Sequence, residues 1–154
     1  HPERECTCPP GTVQKYLNKI SGPLLDRIDL HVEVTPVAFS ELSSIKPQEN
    51  SSVIRDRVIN AREKQAERYK NHPGIYCNAQ MSSKMLKEIC VISQVGANLL
   101  KAAMEKLNLS ARAYDRILKV SRTIADLSQS EEIKPEHLAE AIQYRSLDRE
   151  GWAG

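Results

Sequence analysis

The stretch Ser21–Leu30, with the sequence SGPLLDRIDL, joins two different hydrophobic patterns. Gly22 interrupts the chain, and Pro23 can open a short helix because the N–H groups of a first helical turn are unpaired in any case. After Arg27 the residues alternate between apolar and polar as far as Val34, which is typical of a strand with one buried face. The stretch therefore predicts a short helix followed by a strand, with Arg27 at their junction.

Arg27 is the first candidate functional residue. A helix-to-strand junction is a place where a rigid scaffold can aim a long side chain outward. Arg27 also lies between Asp26 and Asp29. On the residues alone, a surface ion-pair cluster contributing less than about 1 kcal/mol is an equally good interpretation.

Composition limits the classes of protein to consider. The chain has 154 residues, 40% hydrophobic and 27% charged, which suffices for one domain with a modest core or a small domain with an appendage. A net charge of +2 gives no general argument for nucleic-acid binding. The sequence contains no apolar run of membrane-spanning length and no signal peptide, so we expect a cytoplasmic protein without a membrane partner. Because the chain begins at His1, we also expect it to be a piece of a longer protein.

The remaining pattern is helical. A helix is predicted from Thr12 to Ser21, and the strongest helical signal runs from Ser51 to Asn71 with Ile54, Val58, Ala61 and Gln65 on its inner face. Further amphipathic helices are predicted at Ser82–Cys90, Ser93–Leu107 and Ser110–Leu127 and from Pro135 onward. These helices predict a bundle at residues 51–150, preceded by a linker at 37–50 and a separate unit at 1–36.

Basic residues surround the Ser51–Asn71 helix and alternate with acidic ones. This pattern is typical of a solvated helix with ion pairs between neighbouring turns, and a face for DNA or a protein partner is the alternative.

The Ser21–Leu30 stretch resembles the box that carries the arginine finger in magnesium-chelatase-like and replicative-helicase-like AAA+ ATPases. Gln14-Lys15-Tyr16, Lys19-Ile20 and the downstream helices narrow the resemblance to the magnesium-chelatase-like family of the ComM/YifB type. The resemblance extends from Cys6 to Arg149. It implies a mainly α fold, namely an AAA+ C-terminal helical lid bundle preceded by a remnant, one helix plus one strand, of the α/β nucleotide-binding core.

The resemblance also assigns two site residues. Arg27 would be the arginine finger, acting in trans on ATP held by a neighbouring subunit. The stretch Ser110–Tyr114 looks like the start of the lid helix that carries sensor 2, which places Arg112 at the nucleotide; on the residues alone, Arg112 is one more surface cation. The chain has no phosphate-binding Gly-x-x-x-x-Gly-Lys-Ser/Thr loop, so ATP and Mg²⁺ are expected in the full-length parent and this piece alone is expected to be inactive.

The implied function is a homo-oligomeric ring, a hexamer, that couples ATP hydrolysis to DNA remodelling or branch migration during competence. A metal-chelatase ATPase subunit is the sibling alternative. A non-enzymatic helical module, which would bind DNA or a protein through the basic face of Ser51–Asn71, is the alternative from a different class.

The cysteines give little support to a metal site. Cys6 and Cys8 are too close together for an ordinary zinc pair, and the second Cys-x-Cys pair that the family carries upstream is not in this sequence. Cys77 and Cys90 are expected to be buried as small hydrophobic residues rather than to act as catalytic nucleophiles. His137 is expected to lie at the surface or in helix packing rather than to bind a ligand. Finally, we expect a well-ordered bundle from Ser51 to Arg145 and a looser N-terminal third, in which the predicted strand lacks its own sheet.

Overall fold

The computed structural model describes residues 7–34, 36–37 and 49–145, and this part of the chain is mainly helical, which confirms the predicted fold class. Its helices are α1 (Pro10–Leu17), α2 (Gly22–Leu25), α3 (Ser51–Tyr69), α4 (Ser83–Ile89), α5 (Gln94–Lys106), α6 (Ala111–Leu127) and α7 (Pro135–Gln143), with a 3-10 turn at Asn78–Gln80. Within these ranges no strand forms, and one isolated parallel bridge joins Ile92 to Ile133.

Helix α6 is the centre of the bundle. It contacts α3, α4, α7 and the 3-10 turn, while α5 packs on α7. Its inward stripe contains the predicted residues Ile117, Leu118, Ser121 and Ala125, all buried, whereas Tyr114 is 39% exposed and lies at the edge of the stripe. Since aromatic residues are scarce, the core around α6 consists mainly of aliphatic side chains and methionines.

Serine caps define the starts of three helices where the sequence predicted them. The hydroxyl oxygens of Ser82, Ser93 and Ser110 accept hydrogen bonds from backbone N–H groups three residues on, at 3.2–3.3 Å. Pro135 occupies the first turn of α7 as expected. Helix α3 differs from the prediction, because the side chain of Asn50, not of Ser51 or Ser52, accepts the capping bond from the Ser52 amide at 3.1 Å.

Two predicted helical faces are only partly buried. In α3, Ala61 and Gln65 are buried as predicted. Ile54 and Val58 are 43% and 47% exposed, and every residue from 51 to 60, the first half of the helix, is exposed. Helix α1 begins at Pro10 instead of Thr12 and ends at Leu17, short of Ser21. The short helix predicted at Pro23 is present as α2.

The prediction of a strand from Ile28 to Val34 is wrong. These residues adopt irregular backbone, and the residues expected to face inward, Ile28, Leu30, Val32 and Val34, are between 40% and 87% exposed. His31, in the opposite register, is the buried one. An alternating sequence forms a strand only where a second strand can pair with it, and the described part of the chain offers none. Residues 1–6, 35, 38–48 and 146–150 of the predicted units lie outside the described residues.

Candidate functional site

Arg27 is exposed at the end of α2. The chain continues in a helical turn beyond α2, with the Arg27 amide donating to the Leu24 carbonyl and the Ile28 amide to the Leu25 carbonyl, both at 3.0 Å. The guanidinium Nη1 donates to the Pro23 carbonyl oxygen at 2.6 Å. The turn and this bond orient the side chain locally, while the remaining N–H donors of the exposed guanidinium can reach a partner.

The segment that carries Arg27 is fastened to the bundle by Arg145. This arginine follows α7 and is fully buried. Its Nη1 donates to the Ile28 carbonyl, its Nη2 donates to the Leu25 carbonyl at 3.4 Å, and Asp26 lies 4.0 Å away. A planar guanidinium can donate to two neighbouring carbonyl oxygens, so the buried side chain of Arg145 binds the backbone both before and after Arg27.

Two further contacts attach the same segment. The His31 amide donates to the Tyr144 carbonyl at 2.8 Å, and Asp29 pairs with Arg116 of α6 at 2.8 Å. The His31 ring is buried, and within the described residues neither of its nitrogens has a hydrogen-bond partner. Residues 25–31 are therefore attached to α6 and to the end of α7.

Arg112 is exposed in the first turn of α6, just after the Ser110 cap. In the described part of the chain it has neither an ion pair nor a hydrogen bond from its side chain. An arginine at a helix N-terminus opposes the helix dipole, which favours an acidic partner such as a phosphate. Arg116 lies one turn further along α6, so the Arg116–Asp29 pair links the helix of Arg112 to the segment of Arg27.

The basic face of α3 is engaged within the chain in part, and among the described residues Arg55 and Arg62 have no ion pair. Arg57 pairs with Glu49 at 2.8 Å, Lys64 lies 3.6 Å from Glu131, and Lys70 pairs with Glu67. This pattern fits the solvated helix that the sequence favoured. Likewise, Lys119 on α6 is engaged within the chain, since it donates to the carbonyl of Ala79 at 2.8 Å.

A buried polar network between α3 and α6 was not predicted. Arg68 binds both carboxylate oxygens of Asp126 at 2.8 and 2.5 Å, and Arg122 donates to the same carboxylate at 3.1 Å. Asn78 donates to Asp126 at 2.9 Å and accepts from Tyr69 at 2.8 Å. The position of Asp126 four residues after Arg122, on the inward stripe of α6, was the available signal in the sequence.

The network shifts the pKa values of its members. Burial alone would raise the pKa of Asp126, but hydrogen bonds from Arg68 and Asn78 and the charges of Arg68 and Arg122 lower it below its ordinary value. The pKa of Arg68 is raised, chiefly by its hydrogen bonds to Asp126. Burial raises the pKa of Tyr69 to about 12. At neutral pH the carboxylate and the guanidinium are thus ionised, and the phenol keeps its proton.

The cysteines differ in accessibility. Cys90 is buried as predicted, and burial raises the pKa of its thiol to about 11, whereas Cys77 is half-buried instead of fully buried. Because the thiolate is the reactive form, we expect a thiol reagent at pH 8 to label Cys77 at least ~100 times faster than Cys90 in the folded protein. Peptide mass mapping over time measures both rates, and labelling in denaturant is the control. Equal rates in the native state would contradict the assigned burial.

The outer side of α3 carries an open cavity of about 640 Å³. Its lining includes Val58, Ile59 and Tyr69 of the helix and Ile75 and Tyr76 of the following loop. The lining also includes the charged side chains of Arg62, Glu63 and Lys70 and the ring of His72.

The described residues include no cluster of three or more histidine, cysteine, aspartate or glutamate side chains that could hold a metal ion. The zinc half-site considered at Cys6 and Cys8 involves Cys6, which is outside those residues. No helix in the described ranges is both long enough and apolar enough to cross a membrane.

Family comparisons match almost the whole chain. The family described as "Magnesium chelatase, subunit ChlI C-terminal" matches residues 48–145, and "Magnesium chelatase, subunit ChlI" matches residues 1–42. The first match contains Arg112, Arg116 and Arg145, and the second contains Arg27 and Asp29.

Individual relatives are bacterial proteins of much greater length. The chain is 43% identical over 141 residues to the competence protein ComM of Haemophilus influenzae, 40% identical over 143 residues to YifB of Escherichia coli, and 34% identical over 142 residues to Mb2921c of Mycobacterium bovis. These alignments cover 91 or 92% of this chain but only 27 or 28% of each relative.

Proposed function

We propose, on the premise that this chain belongs to the magnesium chelatase ChlI family, that it supplies two of the arginines of an ATP-hydrolysing AAA+ ring. The premise rests on the family match over residues 48–145, more than half of the chain, and agrees with the resemblance carried by Ser21–Leu30. The activity of the whole protein is part of what we propose, because the chain spans only about 27% of the length of the relatives it matches.

In this proposal Arg27 is the finger that reaches ATP on the neighbouring subunit, and Arg112 is the sensor that contacts phosphates in its own subunit. ATP and Mg²⁺ would be held by a phosphate-binding loop elsewhere in the full-length protein. Charge builds up on the phosphoryl oxygens during transfer, and an arginine placed there stabilises it. Both side chains fit an anionic ligand, since each is exposed and, among the described residues, neither pairs with a carboxylate.

One observation gives the strongest support to the assignment of Arg27 as an arginine finger. Arg27 is itself exposed, yet the residues on both sides of it are bonded to the fully buried Arg145. A surface ion-pair cluster would need no such support, whereas an arginine that acts on another subunit needs a fixed base.

The substrate proposal follows the name of one relative. The Haemophilus influenzae protein is called a competence protein, so we propose that the ring, a hexamer in the cytoplasm, couples hydrolysis to DNA remodelling such as branch migration. A purified full-length protein should then unwind a branched DNA substrate only with hydrolysable ATP. Failure on DNA combined with ATP-dependent metal insertion into a porphyrin would favour the chelatase alternative.

The alternative of a DNA-binding module without ATPase activity receives less support. Arg57 and Lys64 on α3 and Lys70 directly after it have acidic partners, so among the described residues the unpaired positive charge of the predicted basic face is reduced to Arg55 and Arg62. A steep salt dependence of DNA binding with no effect of nucleotide would nevertheless favour it.

We expect Arg112→Ala in the full-length protein to weaken ATP binding by roughly 10- to 100-fold, since hydrogen bonds to charged groups contribute about 1.5–3 kcal/mol. Titration with a fluorescent ATP analogue measures the dissociation constant. Arg55→Ala is the matched control, because Arg55 is also an exposed helical arginine and lies outside both proposed sites. Unchanged ATP affinity and turnover in Arg112→Ala would remove Arg112 from the site.

A further inference from the structure

We propose that Arg145 and the Arg116–Asp29 pair are positioning residues that make the Arg27 segment move as one body with the lid. Through them, the nucleotide state sensed at Arg112 in one subunit would set the position of Arg27 in the ATP site of the next. This inference rests on the proposed function, and it adds a coupling route between the two sites.

The contacts of the segment support a single rigid attachment. Arg145 binds the carbonyls of Leu25 and Ile28, Tyr144 accepts from the His31 amide, and Arg116 pairs with Asp29. These attachments occur on both sides of Arg27 in the chain, so the finger cannot shift relative to the bundle without breaking at least one of them.

Apolar packing contributes little to this attachment. Leu25 is buried, but its neighbours Leu24, Ile28 and Leu30 are 48%, 40% and 47% exposed. With one buried apolar anchor, the orientation of the segment depends on the hydrogen bonds from Arg145 and from the His31 amide, which specify geometry more narrowly than hydrophobic contact does. The Arg116–Asp29 contact adds an ion pair that lacks hydrogen-bond geometry.

The link to the sensor is short. Arg116 lies four residues after Arg112, so both side chains are on the same face of α6, one turn apart. A small rotation or tilt of the first two turns of α6, caused by a phosphate at Arg112, would move Arg116 and with it Asp29. Asp29 is only two residues from Arg27.

The test uses charge reversal in the full-length protein, because the Arg116 and Asp29 side chains are 31% and 39% exposed and tolerate exchange better than the buried Arg145. Asp29→Arg and Arg116→Asp should each lower kcat for ATP hydrolysis by about 10- to 100-fold, the effect of misplacing a catalytic group by about 1 Å. ATP affinity should stay within about twofold of the wild-type value, because Arg112 is untouched. The double variant Asp29→Arg/Arg116→Asp restores the pair and should recover most of the lost turnover.

A second arm separates positioning from a merely structural role. In an Arg27→Ala background the same reversals should have no further effect in single-turnover measurements, because no finger remains to be positioned. The exposed pair Lys101–Glu105 on α5, 4.0 Å apart, is the control for charge reversal itself and should leave turnover unchanged. Arg145→Lys keeps the charge but loses the fork, and it should reproduce the single reversals if it folds.

The outcomes distinguish this inference from the function on which it rests. If Arg27→Ala is inactive but the charge reversals turn over normally, the coupling is overturned and the finger assignment remains. The same holds if the reversals lower turnover by the same factor in the wild-type and in the Arg27→Ala backgrounds. If Arg27→Ala turns over normally, both are overturned. Loss in each reversal, recovery in the double variant and no effect without Arg27 would support the coupling.

Discussion

Replacing Arg27 with alanine is expected to lower kcat for ATP hydrolysis by about a thousandfold or more in the full-length protein, the effect typical of an arginine finger. The side chain would act only on charge that develops in the transition state, so it lowers the barrier without contributing to ground-state binding. ATP affinity is therefore expected to remain within about threefold of the wild-type value.

Turnover and nucleotide binding should be measured on the same preparations of wild type, Arg27→Ala and Arg27→Lys. Lysine keeps the charge but lacks the planar fork, so it should recover only a small part of the activity. Arg55→Ala again controls for loss of an exposed positive charge. An Arg27→Ala protein with a wild-type kcat would remove Arg27 from the ATP site.

Replacing Asp126 with alanine is expected to have the largest effect on stability, lowering the free energy of unfolding by about 3–5 kcal/mol. The change would leave Arg122, which is 3% exposed, and the inner part of Arg68 as buried cations without their counter-ion. Small domains have total stabilities of about 5–15 kcal/mol, so this loss is a large fraction of the whole. Urea unfolding of the chain, followed by circular dichroism, measures the difference.

A second ion pair of this chain is the matched control. Arg57 and Glu49 are 2.8 Å apart, but their side chains are 53% and 44% exposed. Water screens such a pair, so Arg57→Ala should cost less than about 1 kcal/mol. Similar losses for Arg57→Ala and Asp126→Ala would show that burial does not determine the contribution of Asp126.

The same network predicts the response to acid. Because the pKa of Asp126 is lower in the folded chain than its ordinary value of 3.8, its contribution is complete above that value and is lost as the pH falls below it. Asp126→Asn should thus differ most from wild type at neutral pH, and the difference should shrink below about pH 4. A constant difference between pH 7 and pH 3 would contradict this linkage.

Local sequence signals were sufficient for the bundle. Ser82, Ser93 and Ser110 each precede an apolar run with helical spacing, and a serine cap acts within a single turn, so its effect does not depend on distant residues. The helix starts therefore followed directly from the residues. The α3 cap was displaced by one residue because Asn50 is an equally good capping residue.

The contacts that matter for the candidate site depend on tertiary structure. The alternation from Ile28 to Val34 predicts a strand, but its fate depends on a partner strand elsewhere in space. Arg145 and Asp126 bear charges, and charged residues are expected at the surface unless their partners are known. Arg145 donates to carbonyls 117 and 120 residues away in sequence, and Arg68 is 58 residues from Asp126, so no local pattern could reveal these contacts. Only Arg122, four residues before Asp126, gave a local signal.

Mixing Arg27→Ala and Arg112→Ala subunits of the full-length protein tests the central claim most directly. A subunit with intact Arg112 can receive an intact Arg27 only from a neighbour of the other type, so some sites in a mixed ring regain both arginines. At an ATP concentration well below the dissociation constant of Arg112→Ala, both proteins are nearly inactive alone. For random assembly we then predict roughly a quarter of the wild-type turnover from a one-to-one mixture, because each ring interface joins two different surfaces. No recovery in subunits shown to have mixed would contradict a finger acting in trans.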